Sequence, residues 1–163
     1  MPPYRLQALL EIRERAKAEA EQAFSDAVKA LEKQKAELKR LEQELEQRKA
    51  ERKQKVMAYL QQVMAKGTAG PNGFTMMNRY EGRLKDEEAQ LALEIERQKE
   101  AVAAAEKLVE QRRREMAEAA RELKAIEKHK ENWQKQLRAE RQAKEELNQE
   151  EIGNTLFLMR QRK

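Results

Sequence analysis

The residues that could carry chemistry are few in this chain, and their spacing favours none of the common reactions. One histidine, His129, stands between two lysines, and one serine, Ser25, has no histidine or aspartate at a spacing that would activate it. We interpret His129 as a solvated histidine on a helix flank. The many glutamates and aspartates are surface charges, because no enclosed pocket is predicted that would shift a carboxyl pKa toward acid–base work. We therefore predict no enzyme, no catalytic residues and no cofactor.

Binding chemistry is equally sparse. The 163 residues include no cysteine, no glycine-rich phosphate loop and no metal-ligand spacing, so we expect no metal site. The basic run from Lys49 to Lys55 lies beside acids and has no interleaved aromatic residues to stack on bases. We interpret it as flanking charge that forms helical pairs such as Glu51 with Lys55. The 35 basic and 30 acidic residues are interleaved, and we expect no nucleic-acid partner.

The composition predicts long helices instead of a compact core. Charged residues make up 40% and aromatic residues 4%, and only five glycines and three prolines interrupt the chain. Such a composition is typical of a coiled coil. No apolar run approaches the roughly 18 residues of a membrane span, and the first residues lack the apolar stretch of a signal peptide. We expect a cytoplasmic protein without direct membrane insertion.

Glycines and a proline cluster at one place, Gly67 to Gly73, and divide the chain into two helical segments. We predict a first helix over about 4–65, a tip loop over 66–74 and a second helix over about 75–160, with Thr75 as its N-cap. All 163 residues are assigned to one helical domain. A short connection makes the helices antiparallel. The fold class is all-α: a long two-helix antiparallel coiled-coil hairpin with a protruding C-terminal helix.

Apolar residues recur at coiled-coil spacing along the second segment. Of 19 positions at alternating steps of three and four from Leu84 to Leu147, 13 are apolar. In the first segment this seam fails between Leu45 and Val56. Pairing residues whose numbers sum to about 143 puts Leu38 level with Ala105, Leu10 with Trp133 and Lys55 with Glu88. A register one heptad away, with sums near 136, competes with this one.

The second helix outlasts the first in the preferred register, because Pro3 lies opposite about Glu140. The last 20-odd residues then have no partner within the chain, although they include Ile152, Leu156, Phe157, Leu158 and Met159. We predict a docking element there in preference to a frayed, disordered tail. Methionines also cluster around the tip, where they suit an adaptable contact surface or merely close the end of the coiled coil.

The N-terminal segment of the chain is similar in sequence to the start of a known protein family. The segment Tyr4-Arg5-Leu6-Gln7-Ala8-Leu9-Leu10-Glu11-Ile12-Arg13-Glu14, followed by a helix rich in Ala, Glu and Lys, resembles the start of FliJ/YscO-like proteins. These are central-stalk subunits of flagellar and type III secretion export ATPases, similar to the γ subunit of rotary ATPases. The resemblance covers the whole chain in architecture.

The resemblance implies a non-catalytic stalk. It would dock its paired termini into a hexameric ATPase ring and turn its tip toward the export-gate membrane protein, promoting ring assembly and coupling hydrolysis to export. It implies a monomer at the inner-membrane secretion apparatus, with secretion chaperones as a further partner. The ATPase-facing residues would be Tyr4, Arg5, Leu6, Leu9, Leu10, Ile152, Leu156, Phe157 and Arg160. The gate-facing residues would be Phe74, Met76, Met77, Tyr80 and Leu84. The alternative is a cytosolic coiled-coil scaffold or adaptor that self-associates.

Overall fold

Two helices account for nearly all of the chain. The computed structural model describes residues 2–67 and 70–162, in which α1 spans Gln7–Ala65 and α2 spans Pro71–Gln161. No strand occurs among these described residues. The two helices pack against each other, so the predicted all-α helical hairpin is confirmed.

The turn between the helices is set by one glycine and one proline. Gly67 follows the end of α1 with a φ of 66°, a left-handed conformation that glycine adopts without steric cost. The carbonyl of Gly70 accepts bonds from the amides of Gly73 (3.1 Å) and Phe74 (3.3 Å), so Pro71 is the first residue of α2. Proline suits that position because its φ is already helical and it has no amide to leave unsatisfied.

The predicted cap, Thr75, is wrong. Its hydroxyl donates a 2.7 Å bond to the carbonyl of Pro71 inside the first turn of α2, instead of accepting from an amide. The helix had already begun at Pro71, four residues earlier than predicted, so Thr75 has no free amide to cap. The predicted loop residues 68 and 69 lie outside the described residues.

Residue contacts divide the chain into two compact units. The terminal unit comprises Met1–Gln22 and Arg114–Lys163, and the tip unit comprises Ala23–Arg113. In each unit, a segment of α1 packs antiparallel against a segment of α2.

Leucines and isoleucines form the core of the tip unit. Leu41, Leu91 and Ile95 are buried, and Leu38 and Leu45 pack against them. Toward the tip, where apolar residues are missing from the seam of α1, Arg52 and Glu88 are ion-paired with 3.0 Å between Nε and Oε1. The polar pair therefore fills the level at which the sequence pattern fails.

The helices take the second of the two registers considered. In the tip unit Glu88 pairs with Arg52 instead of Lys55, and the Gln98 amide donates to the side chain of Gln34 over 2.6 Å. In the terminal unit, Tyr4 contacts Trp133, and Lys130 donates to Gln7. The residue numbers of these pairs sum to between 132 and 140, close to 136.

The preferred register, with residue numbers that sum to about 143, is disfavoured because it leaves polar side chains without hydrogen-bond partners. It would place Arg52 opposite Leu91 and Gln98 opposite Leu45, which leaves polar groups against leucines without hydrogen bonds. It would also set Lys130 opposite Arg13, two like charges. In the observed register Gln98, Glu88 and Lys130, all polar positions in the apolar seam of α2, each find a polar partner on α1. Polar pairs of this kind are known to fix coiled-coil alignment.

Candidate docking surfaces

The C-terminal part of α2 has no partner on α1. Leu137 is the last half-buried residue, and every described residue from 138 to 162 is exposed. We call residues 138–162 the overhang. The overhang begins slightly earlier in the sequence than the predicted boundary near Glu140. In the observed register, the N-terminal end of α1 lies level with a residue of α2 that has a lower sequence number.

Large apolar side chains stand in solvent along the overhang. Six of them have 54% to 61% of their surface exposed: Leu147, Ile152, Leu156, Phe157, Leu158 and Met159. The last four are consecutive. Successive residues of an α-helix point about 100° apart, so these four cover the full circumference of one turn. We call this turn the apolar collar.

The predicted N-terminal docking residues are mostly occupied within the terminal unit. Tyr4 and Leu10 are buried, with 8% and 4% of their surface exposed. Leu6 and Leu9 are half-buried, whereas Arg5 is exposed. Of these five side chains, only that of Arg5 is fully available to a partner.

Tyr4 anchors the start of the chain on α2. Its hydroxyl is hydrogen-bonded to Nδ1 of His129 at 2.5 Å, and its ring centroid lies 5.0 Å from that of Trp133. The ammonium of Lys130 lies 5.8 Å from the centre of the same ring. His129 is exposed, as expected of a surface histidine, and it also has a specific partner on the N-terminal segment. The sequence features that could have indicated this contact are the aromatic residues Tyr4 and Trp133, which the observed register brings together.

The predicted gate-facing residues of the tip unit divide into two groups. Phe74 and Met76 are exposed, at 42% and 60% of their surface. Met77, Tyr80 and Leu84 are half-buried, and the Tyr80 ring stacks on that of Tyr59 of α1 with centroids 5.9 Å apart. Met57 and Met64 add to the exposed apolar surface on α1. Met57, Met64 and Met76 therefore face solvent, and both interpretations of the methionine cluster stay open.

Comparison with known proteins decides the family. The model of the YscO-like protein family matches residues 1–163. The chain belongs to the YscO-like family. It is also similar to the solved structure of CT670 from Chlamydia trachomatis, a proposed YscO homolog, with 25% identity and a TM-score of 0.82 over 100% of this chain and 99% of that one. No curated protein matches the sequence.

Membership of the YscO-like family relates the chain to type III secretion. The family consists of structural secretion-system components and is not a known enzyme family. Its members associate with components of the secretion apparatus. In the part of the chain that the structure describes, neither helix has an apolar stretch long enough to cross a bilayer.

The ion pairs that shift pKa values in this YscO-like chain lie on exposed surfaces of the helices. The guanidinium of Arg40 donates to Glu37 over 2.6 Å, and this hydrogen bond lowers the pKa of the Glu37 carboxyl. The hydrogen bond with Glu110 similarly raises the pKa of Arg113. Across residues 2–67 and 70–162, no three His, Asp or Glu side chains are grouped as metal ligands.

Proposed function

We propose that this YscO-like protein is the non-catalytic central stalk of a type III secretion or flagellar export ATPase. Its overhang would enter the central hole of the hexameric ATPase ring, and its tip unit would contact the export-gate membrane protein. The protein would act on the cytoplasmic face of the inner membrane, where the ATPase works. Secretion chaperones are a further proposed partner.

The apolar collar is the observation that carries this proposal. A helix that lies in a groove needs an apolar stripe on one side only. The collar, Leu156 to Met159, is apolar all the way round and more than half exposed, so one groove would leave part of it in water. A ring of subunits encloses a helix on every side. Burying each side chain would contribute on the order of 1.5–3 kcal/mol before the costs of association.

The overhang has the reach for such a role. Residues 138–162 number 25, and at 1.5 Å per residue they extend about 37 Å as a helix. The overhang has no packing partner on α1, and most helical stability in proteins comes from packing, so enclosure in a ring would also stabilise the helix. Arg160 lies beyond the collar and adds positive charge at the helix C-terminus, where it interacts favourably with the helix dipole.

A single stalk in a ring of six would make unequal contacts with the catalytic subunits. This asymmetry would favour different nucleotide states in different subunits and so couple hydrolysis to the stalk. The Tyr4 anchor supports a modified arrangement of the termini. Because Tyr4 and Leu10 are buried in the terminal unit, α2 alone would supply most of the surface within the ring, with Arg5 at its rim.

The rate of ATP hydrolysis tests the proposal. The purified export ATPase is assayed alone, with the full chain, with the chain ended after Leu137, and with all four collar residues replaced by glutamine. A matched control replaces Leu93, an equally exposed leucine of the tip unit, by glutamine. We expect the full chain and the control to stimulate hydrolysis severalfold, and both altered overhangs to lose the effect. Equal stimulation by all four chains would contradict the proposal.

The rival function is a scaffold that pairs two chains through the overhang. Light scattering separates the two, because the stalk is proposed to be a monomer of 19.2 kDa and the scaffold would have twice that mass.

A further inference from the structure

The overhang contains a segment of low helix propensity directly before the apolar collar. Gly153, Asn154 and Thr155 are three consecutive residues that disfavour a helix, and no other run of this kind occurs in α2 beyond its first turns. Relative to alanine, glycine lowers the ratio of helix to open chain about fivefold, and asparagine and threonine each lower it about threefold. Continuing the helix into the collar is therefore unfavourable at this point.

The surroundings of this segment add no packing that would offset its low propensity. Every described residue of the overhang is exposed, and none of them forms an ion pair with another described residue. Glu146 and Glu150 lie one turn apart on the same side, a spacing at which like charges destabilise a helix. The hydroxyl of Thr155 donates a 2.8 Å bond to the carbonyl of Glu151, a local bond that slightly destabilises a helix and often bends it.

Gly153 also provides an alternative end for α2. The structure continues the helix through Gly153 to Gln161, with a negative φ at the glycine. Helices commonly stop with a glycine in the left-handed conformation directly after the last helical residue. A helix that ends at Ile152 would have Gly153 at that position, and the space around the glycine is open. The chain therefore has two ways to end α2, one with a helical collar and one with an open collar.

We propose that the collar is open in most free molecules and becomes helical when it enters the ATPase ring, with Gly153 at the boundary of the change. This inference rests on the proposed docking of the overhang. Only the helical form places Leu156 to Met159 on all sides of one turn, the arrangement that an enclosing ring would bury. Docking must then also extend the helix, so Gly153 lowers the affinity of the collar for the ring and keeps the contact reversible.

Amide hydrogen exchange of the isolated full chain tests the open form without any partner. We expect the amides of 156–159 to exchange with little protection, whereas those of 143–150, which are equally exposed, are protected. Gly153→Ala disfavours the glycine end and favours the helix, so protection at 156–159 should rise about fivefold. Gly82→Ala is the matched control, because it fills another open glycine position in α2 and should leave 156–159 unchanged. Equal protection of the two segments in the wild-type chain overturns the proposal.

Dissociation constants of the same chains with the purified export ATPase test the link between helix formation and docking. Gly153→Ala should tighten binding about three- to tenfold, because more of the free molecules already have a helical collar. Asn154→Pro should weaken binding at least about tenfold, since proline is compatible with a helix that ends at Ile152 but blocks its continuation. Gly82→Ala should bind as the wild-type chain does.

The outcomes separate this inference from the proposed function. Unchanged or weaker binding by Gly153→Ala overturns the inference while leaving the docking of the overhang intact. Wild-type affinity for Asn154→Pro does the same, because it would show that the collar docks without becoming helical. No binding by the wild-type chain overturns the docking itself and this inference with it.

Discussion

The Nε of Arg52 donates a 3.0 Å hydrogen bond to Oε1 of Glu88 where the leucine seam of the tip unit is interrupted. The two side chains are 18% and 11% exposed, whereas those of Arg40 and Glu37, an ion pair within α1, are 61% and 43% exposed. A second carboxylate, Glu81, lies 3.8 Å from the same guanidinium. This largely buried pair joins α1 to α2 through charge at the level where apolar residues are missing from the seam of α1.

Removing Glu88 alone should destabilise the protein. Glu88→Leu leaves the Arg52 guanidinium half-buried with one distant carboxylate, so we expect a loss of about 1–3 kcal/mol in the free energy of unfolding. The variant Arg52→Leu with Glu88→Leu should recover most of this loss, because a pair of leucines extends the seam. Urea denaturation followed by circular dichroism measures both. The exposed pair of Arg40 and Glu37 offers the control: Glu37→Leu should change stability much less than Glu88→Leu does, because exposed ion pairs contribute little. Equal losses for Glu88→Leu and Glu37→Leu would be inconsistent with this role for Glu88.

The Glu37 pair also has a predictable response to acid. Because Arg40 lowers the pKa of Glu37 in the folded protein, its contribution to stability is present above the pKa of the unfolded state and is lost as the pH falls through the folded value. Glu37→Gln should therefore match the wild type most closely at acidic pH and differ from it at neutral pH. Denaturation of the two proteins across this range measures the convergence, and a difference that grows in acid would contradict the assignment.

The hydroxyl of Tyr4 should matter to the start of the chain. Tyr4→Phe removes the hydrogen bond to His129 but keeps the ring against Trp133, so we expect a loss of about 0.5–1.5 kcal/mol. Tyr4→Ala also removes the ring and should cost more. Trp133 is the single tryptophan, so its fluorescence reports this cluster directly. Its emission should move to longer wavelength in Tyr4→Ala and stay nearly unchanged in Tyr4→Phe. Identical spectra for all three proteins would contradict the Tyr4–Trp133 contact.

Gly82→Ala should make the isolated protein more stable. The φ of Gly82 suits any residue and the added methyl group meets no described atom, so we expect a gain of about 0.5–1 kcal/mol. Thermal denaturation of the full chain measures it. A loss of stability would show that the site is not open in solution.

Much of the fold follows from residue patterns. The spacing of leucines from Leu84 to Leu137 and the glycines near Gly70 were sufficient for two helices and one turn. The register could not be read from apolar residues, because a shift of one heptad keeps every leucine in the seam. It depended on the polar exceptions Gln98 and Glu88, which the apolar pattern treats as failures.

The candidate surfaces were predictable in part. The overhang followed from the unequal lengths of the two segments, and its residues are exposed as expected. Sequence alone could not show that Tyr4 is buried or that Tyr80 stacks on Tyr59, because aromatic residues serve equally in cores and at interfaces. Gly82 was seen only as an unusual helix residue, and the open space around it became visible in the packed structure.

Site-specific photo-crosslinking from the collar tests the central claim most directly. A benzophenone amino acid replaces Phe157 in one chain and the equally exposed Leu93 in another, and each is irradiated with the assembled ATPase hexamer. The stalk account predicts crosslinks from position 157 to ATPase residues that line the central hole, and none from position 93. Crosslinks from 157 to the outer surface of the ring, or equal yields from the two positions, would contradict it.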